Sequence, residues 1–147
     1  MGGTPKRKRE EDVRIRVIPT LHGAAMGHNL MFVIEADGVR VVHLGNIGHT
    51  LDQDTITQMG KVDVLMIPVD GIYTLTLEEA TQIMKDVKPS LTLPMHFKTK
   101  KACSTIADVG QFTKGKQPVR VFPYSETEVS RDSLPNDAEI ILLQHEK

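Results

Sequence analysis

The sequence predicts an α/β fold in which a mixed β-sheet carries helices mainly on one face. Two apolar runs, 30–35 and 39–44, are joined by Ala36-Asp37-Gly38, and Asp-Gly is typical of a tight turn between antiparallel strands. The runs 62–68 and 90–94 are short and largely apolar, and a helical pattern separates them, which predicts a right-handed parallel crossover. Because one chain contains both kinds of pairing, the sheet is mixed. Helices on one face leave the other face apolar and in need of cover.

The first strand and the loop after it precede this hairpin. In the segment 13–17 apolar and charged residues alternate, which is typical of a strand with one solvent-exposed face. Pro19 is expected to end that strand, because proline cannot donate to a β-ladder. The segment 20–27 contains two glycines and two alanines, and we predict a loop that carries His22.

Two helices are predicted on either side of the strand 62–68. The segment 51–59 has a sparse apolar stripe and ends at Gly60, a typical C-terminal cap. Thr76 and Glu79 have the spacing of a capping box, and Pro89 ends the helix that they begin. This helix has one apolar stripe, formed by Leu77, Ala80, Ile83, Met84 and Val87. The rest of the chain is predicted to form a weak helix, a strand, a polar loop and a last strand, at 100–112, 118–122, 125–137 and 139–143.

Composition favours a single cytoplasmic domain. The chain has 147 residues, 39% of them hydrophobic, and a net charge of −1, so we expect one domain at 13–147 after a disordered charged tail at 1–12. No apolar run could span a membrane, and the start lacks the apolar segment of a secretory signal. Cys103 is the only cysteine, which excludes an intramolecular disulfide. The basic run 6–9 is followed at once by three acidic residues that nearly cancel its charge, which argues against nucleic-acid binding.

Polar residues that can bind metal follow several of the predicted strands. A hydrolytic metal site needs imidazole and carboxylate ligands from different loops and one open position for water. His22 follows the first strand, Asn46 follows the second strand of the hairpin, and His96 follows the strand after the capped helix. Ligands at the carboxyl ends of strands are the usual arrangement in α/β sheets. The sequence therefore offers three loops that could meet at one site.

Four segments of the sequence resemble a known family. LHGAAMGHN, HLGN, PVDGIYTLTLEEA and LPMHFKT are similar to segments of the metallo-β-lactamase superfamily, in the branch of small metal-dependent hydrolases that includes L-ascorbate-6-phosphate lactonase. The resemblance covers about residues 13–99 and only the C-terminal half of the family pattern. It implies half of an αβ/βα sandwich, in which two sheets pack face to face with the helices outside. It also implies zinc or manganese as cofactor and hydrolysis of a phosphate ester or lactone.

The resemblance assigns roles to individual residues. His22 and His96 match histidines of the third and fifth metal motifs, and Asn46 occupies the position of an aspartate that usually bridges two metals. Asp70 replaces a glycine of the family segment and adds a carboxylate near the site, so these four residues are the candidate metal ligands. Three further residues are expected to position the ligands through hydrogen bonds: His43, His49 and Asn29.

Two departures from the family pattern leave the activity open. The H-x-H-x-D-H motif, which supplies the first metal's ligands and two ligands of the second metal, is absent from this sequence. An asparagine amide at position 46 has no negative charge with which to hold two divalent cations. One hypothesis is a hydrolase with an incomplete site, active only when another chain carrying the missing half complements it. The alternative is a non-catalytic half-sandwich that pairs with a second copy as a structural or interaction module. Both hypotheses predict an oligomer and a sub-stoichiometric or absent metal.

Overall fold

The computed structural model describes residues 13–22, 27–101, 105–116 and 118–145, so the predicted tail and Cys103 lie outside the described residues. Seven strands form one sheet: β1 (Val13–Leu21), β2 (His28–Ala36), β3 (Val39–His43), β4 (Val64–Pro68), β5 (Leu91–Met95), β6 (Val119–Val121) and β7 (Glu139–Leu142). Their order across the sheet is β1-β2-β3-β4-β5-β7-β6. The pairs β1/β2 and β2/β3 are antiparallel and every other pair is parallel, which confirms the predicted mixed sheet.

The local signals for the hairpin and the helices are confirmed. Asp37 and Gly38 have φ values of 51° and 74°, as the two-residue turn between β2 and β3 requires. Three α-helices follow: α1 (Gln53–Met59), α2 (Leu77–Val87) and α3 (Val109–Thr113). The Thr76 side chain accepts from the Glu79 backbone N–H, and the Glu79 carboxylate accepts from the Thr76 backbone N–H, which completes the predicted capping box. No helix in the described part of the chain is long and apolar enough to cross a membrane.

Two elements differ most from their predicted bounds. β1 continues through Pro19 to Leu21, because β1 is the edge strand of the sheet and proline is tolerated there. In the described part of the predicted helix 100–112 only α3 is helical, and it begins after Asp108 and continues to Thr113. The Asp108 carboxylate caps this helix by accepting from the backbone N–H of Gln111 at 3.1 Å, so the helix begins there.

The main core lies between the sheet and the three helices. Residues that alternate along the strands point into this core, and each helix contributes buried residues to it. The strand residues are Ile18, Met31, Val33, Val42, Leu65 and Ile67, and the helix residues are Met59, Ala80, Ile83 and Phe112. All three helices therefore cover the same face of the sheet. This confirms the predicted layer with helices on one face.

The opposite face of the sheet is covered only in part. A smaller cluster there combines strand residues with side chains of the segment 122–134: Val39, Val64, Leu91 and Ile141, with Phe122, Val129 and Leu134 packed against them. A 3₁₀ turn within this segment, Arg131–Ser133, places the Arg131 guanidinium on the Gly38 carbonyl and 3.4 Å from the buried Asp63 carboxylate. These contacts hold the segment over the middle strands.

No described residue covers the outer strands of that face. We call this surface the open face and define it by the outward side chains of β1 and β2: Val13, Ile15, Val17, Leu30 and Phe32. Their exposed fractions run from 37% to 61%, although the sequence predicted that the apolar side of β1 would be the sheltered one. The prediction of alternation was right, but none of the described residues packs on the apolar side of β1.

Candidate functional site

Four strands end at the same edge of the sheet, which we call the rim. β3, β4 and β5 are parallel, and β1 runs in the same direction because β1 and β3 are both antiparallel to β2. The candidate ligands follow these strands in turn, in the order His22, Asn46, Asp70 and His96. The topology therefore brings all four to one edge, as sequence reasoning expected.

The loops after β1 and β3 are also in direct contact. His22 forms an antiparallel bridge with Ile47, and the Gly48 N–H donates to the Leu21 carbonyl at 3.0 Å. His96 lies further along the rim. β5 is two strands away from β3, and adjacent strands are about 4.8 Å apart, so the two strand ends are separated by about 10 Å.

Asp70 and His96 form the best-defined pair at the rim. The Asp70 carboxylate is fully buried, and its Oδ2 lies 3.0 Å from His96 Nδ1. Its Oδ1 accepts from the Thr74 hydroxyl at 2.7 Å and from the backbone N–H groups of Thr74 and Ile72 at 3.2 and 3.3 Å. Both carboxylate oxygens are therefore engaged within the protein. Asp70 is one of the candidate metal ligands, and in this geometry its carboxylate holds the His96 ring.

His96 presents its other ring nitrogen outward. Its side chain is 45% exposed, and among the described residues Nε2 has no hydrogen-bond partner. The His96 backbone is left-handed, with φ of 58°, a conformation that costs free energy in a residue other than glycine and that concentrates at functional sites. A carboxylate bound to one imidazole nitrogen fixes the ring so that the other nitrogen can bind a ligand.

Asn29 fixes the loop that carries Asn46. The buried Asn29 amide accepts from the Asn46 backbone N–H at 2.9 Å and donates to the Leu44 carbonyl and the Thr20 hydroxyl, each at 2.9 Å. A Cβ on Gly45 would lie 2.5 Å from Asn29 Oδ1, so the close approach requires glycine. The Asn46 residue itself is exposed.

His43 and His49 hold the same loops by their ring nitrogens. His43 Nδ1 accepts from the Gly45 N–H at 3.0 Å, and burial lowers the pKa of His43, so the ring favours the neutral form that can accept. His49 Nε2 accepts from the Leu21 N–H at 3.1 Å, while Nδ1 lies 2.8 Å from the Thr50 carbonyl and donates to it. Both nitrogens of His49 are occupied, which suits a positioning role.

These residues do not make a metal site by themselves. Within residues 13–22, 27–101, 105–116 and 118–145 no group of three or more His, Cys, Asp or Glu side chains is placed to hold a metal ion. Asp70 is occupied by its internal hydrogen bonds, and Asn46 offers only a neutral amide. His22 and His96 remain as imidazole donors, fewer than the three or four protein ligands that zinc requires.

Thr74 is a functional residue that sequence reasoning left undecided. The structure places Thr74, almost fully buried, against Asp70. Its backbone and hydroxyl both donate to one oxygen of an aspartate four residues earlier. The spacing of Asp70 and Thr74 is the available signal, since short polar side chains favour such local turns.

A mixed sheet with helices on one face and histidines at its rim is the architecture of one layer of a metallo-β-lactamase sandwich. The profile of the family described as the beta-lactamase superfamily domain matches residues 4–96, and the chain therefore belongs to this family. The match includes β1 to β5 and extends to His96.

Curated relatives carry the name UPF0173 metal-dependent hydrolase. One, from Natranaerobius thermophilus, is 32% identical over 101 residues that make up 67% of this chain and 44% of the relative. A UPF0173 protein of Pyrococcus furiosus is 34% identical over 112 residues, 76% of this chain and 49% of the relative. The chain thus spans about half the length of the curated relatives that it matches.

Solved structures give the same result. A metallo-β-lactamase superfamily protein from Thermotoga maritima superposes with a TM-score of 0.79 at 30% identity, covering 89% of this chain and 64% of that protein. A metallo hydrolase from Ignicoccus hospitalis superposes with a TM-score of 0.56 at 24% identity, covering 71% and 45%, and shares the fold.

Proposed function

We propose that this chain is one layer of a metal-dependent hydrolase whose site is completed by a second layer carrying the H-x-H-x-D-H motif. The substrate class is a phosphate ester or lactone, and the metal is zinc or manganese. The observation that carries the proposal is the open face, an exposed apolar sheet surface that reaches the rim on which His22 and His96 lie. The names of the curated relatives supply the metal-dependent reaction class.

The shape of the open face favours a second layer as its occupant. Five residues in register form a row across β1 to β5 on this side of the sheet: Val17, Phe32, His43, Met66 and Leu93. Leaving the exposed end of this row, Val17 and Phe32, in water is unfavourable by about 25 cal/mol per Å² of apolar surface. Relatives more than twice as long as the matched segment contain enough additional chain for a layer of similar size.

The number of metal ligands also favours a second layer as the partner that covers the open face. His22 and His96 supply imidazoles, and the Asp70 carboxylate holds His96 with Nε2 outward. A complementing layer with H-x-H-x-D-H would raise the ligand count to that of a hydrolytic site. This chain's contribution is to orient His96, to hold the loop around Asn46 and to provide the surface on which the other layer packs.

A second candidate is a non-catalytic dimer formed by two copies of the open face. The observation in its favour is Asn46, whose exposed side chain is neutral where the family has a bridging aspartate. In such a dimer the interface would be large and apolar, like a domain core cut in half. The rim would then bind metal weakly or not at all.

Complementation tests the proposal. The part of the Natranaerobius relative that precedes its matched segment is mixed with this chain, and mass is measured by size exclusion with light scattering. We expect a one-to-one complex that retains zinc or manganese by elemental analysis and hydrolyses bis(p-nitrophenyl) phosphate. A homodimer that ignores the added fragment would support the second candidate. A monomer of 16.3 kDa that binds neither the added fragment nor a second copy of itself would contradict both candidate functions.

Matched valine variants locate the interface. Val17→Lys places a charge on the open face, where the valine is 47% exposed, and should abolish association. Val121→Lys places the same charge on the edge strand β6, where the valine is 73% exposed and shares the helix side of the sheet with Val119. We expect the second variant to associate normally. Equal loss of association in both would remove the open face as the interface.

A further inference from the structure

A cavity of about 370 Å³ lies on the helix side of the sheet, away from the rim. It is lined by the C-terminal end of α2, the turn before β6, and the beginnings of β5 and β7. Thr92 on its wall lies near the start of β5 and His96 follows the end of that strand, four residues later, which corresponds to about 13 Å of extended chain. The cavity is therefore separate from the candidate metal site.

The charged groups around the cavity are mainly ammonium groups. Lys85, Lys88 and Lys116 line it, and the carboxylate in the lining belongs to Glu139. Glu139 is already paired with Arg120, at 3.1 Å. Among the described residues Lys85 and Lys88 have no ion-pair partner, so the cavity has an excess of positive charge.

Lys116 is held at the cavity wall. Its Nζ donates to the Phe112 carbonyl at 2.5 Å and lies 4.5 Å from the centre of the Phe112 ring. Burial lowers the pKa of Lys116, and the positive charge of Lys85 lowers it further. An anion bound between these two ammonium groups would remove their repulsion.

Thr92 adds a hydroxyl to the cavity wall. The residue is 2% exposed and lines the cavity. An anionic ligand oxygen in the cavity would accept from this hydroxyl, and hydrogen bonds to ionised acceptors are stronger than those between neutral groups.

We propose that this cavity binds a small organic anion, a carboxylate or a phosphate monoester that carries an apolar group. The anionic end accepts from the Lys116 ammonium and the Thr92 hydroxyl, with Lys88 at the mouth. The apolar part packs on Met84 and Ile140, which supply the hydrophobic wall. A volume of about 370 Å³ lies within the range of small-molecule sites.

Titrations followed by ¹H–¹⁵N NMR test this proposal in the full chain. The probes are hexanoate and hexyl phosphate, and the comparison compounds are 1-hexanol, which has no charge, and inorganic phosphate, which has no apolar part. We expect saturable shifts of the Thr92 and Ile140 amides with both probes, and binding at least tenfold weaker for both comparison compounds. Shifts confined to Leu30 and Phe32 would mean that the probes bind the open face, which would overturn the proposal.

Three variants separate recognition from folding. Lys116→Gln should weaken hexanoate binding about tenfold, since one charge-assisted hydrogen bond is lost. Thr92→Val keeps the size of the side chain, removes only the hydroxyl and should weaken binding about fivefold. Lys61→Gln changes a lysine outside the cavity and should leave hexanoate binding unchanged. If both cavity variants fold and bind hexanoate as tightly as the parent chain, the assignment is wrong.

Discussion

Replacing Gly45 tests whether Asn29 holds the loop of the candidate site. Gly45 has φ of 63°, and a Cβ there would lie 2.5 Å from Asn29 Oδ1 and 2.9 Å from the Leu30 carbonyl oxygen. Gly115 is a matched control, because its φ is 74° and a Cβ would meet nothing within 4 Å. Both alanine variants have the same backbone strain, and only in Gly45→Ala does the added Cβ also clash with Asn29 and Leu30.

The expected magnitudes follow from this difference. The left-handed conformation costs an alanine about 1–2 kcal/mol, which is the whole effect at Gly115. At Gly45 the Asn29 amide must move, and each buried hydrogen bond left unpaired costs about 1–3 kcal/mol more. Asn29 makes three such bonds, to Asn46, Leu44 and Thr20. We therefore expect Gly45→Ala to destabilise the fold by at least about 2 kcal/mol more than Gly115→Ala.

Urea unfolding at one fixed protein concentration measures the two free energies, because association would otherwise change them. The Asn29 side-chain NH₂ resonances give a second readout, which should shift in Gly45→Ala and not in Gly115→Ala. Equal destabilisation of the two variants, within about 0.5 kcal/mol, would mean that the loop moves freely and that Asn29 does not hold it.

Two further predictions concern ring nitrogens. Burial lowers the pKa of His43 below its ordinary 6.5, so the unfolded chain takes up a proton more readily and stability falls as the pH drops below about 6.5. Between pH 7.5 and 5.5 the urea midpoint should fall more in the parent chain than in His43→Gln. Equal falls in the two proteins would contradict this. The second prediction concerns Asp70→Asn. The groups that donate to Asp70 Oδ1 should hold the amide oxygen of the new asparagine in that position, so its NH₂ group faces His96 Nδ1 and the ring proton should move to Nε2. Histidine ¹⁵N shifts report the tautomer, and an unchanged pattern would refute the assignment.

Features set by neighbouring residues could be predicted from the sequence. The Asp37-Gly38 turn and the capping box of Thr76 and Glu79 depend only on local geometry, and both are present. The end of β1 could not be predicted, because tolerance of Pro19 depends on β1 lying at the sheet edge. Strand order is a property of the whole sheet, and no local pattern reports it.

The candidate site, like the fold, has features that the sequence could predict and features that it could not. Placement of His22, Asn46 and His96 at one rim follows from the strand-ending pattern that the sequence contains. The role of Asp70 does not, because a carboxylate near a site can bind metal or orient a ligand. Its full burial and its bond to His96 favour the orienting role, and both depend on packing between β4 and β5.

The open face and the rim meet at His43. Its side chain lies in the apolar row between Phe32 and Met66, while its Nδ1 accepts from the Gly45 N–H in the loop of the candidate site. A layer that covers the row would bury His43 further and strengthen its preference for the neutral form that holds Gly45. A layer that packs on the open face would then also stabilise the loop that contains Gly45. Association and metal retention should therefore be lost together in Val17→Lys, because a partner that completes the site must pack on that row to reach it.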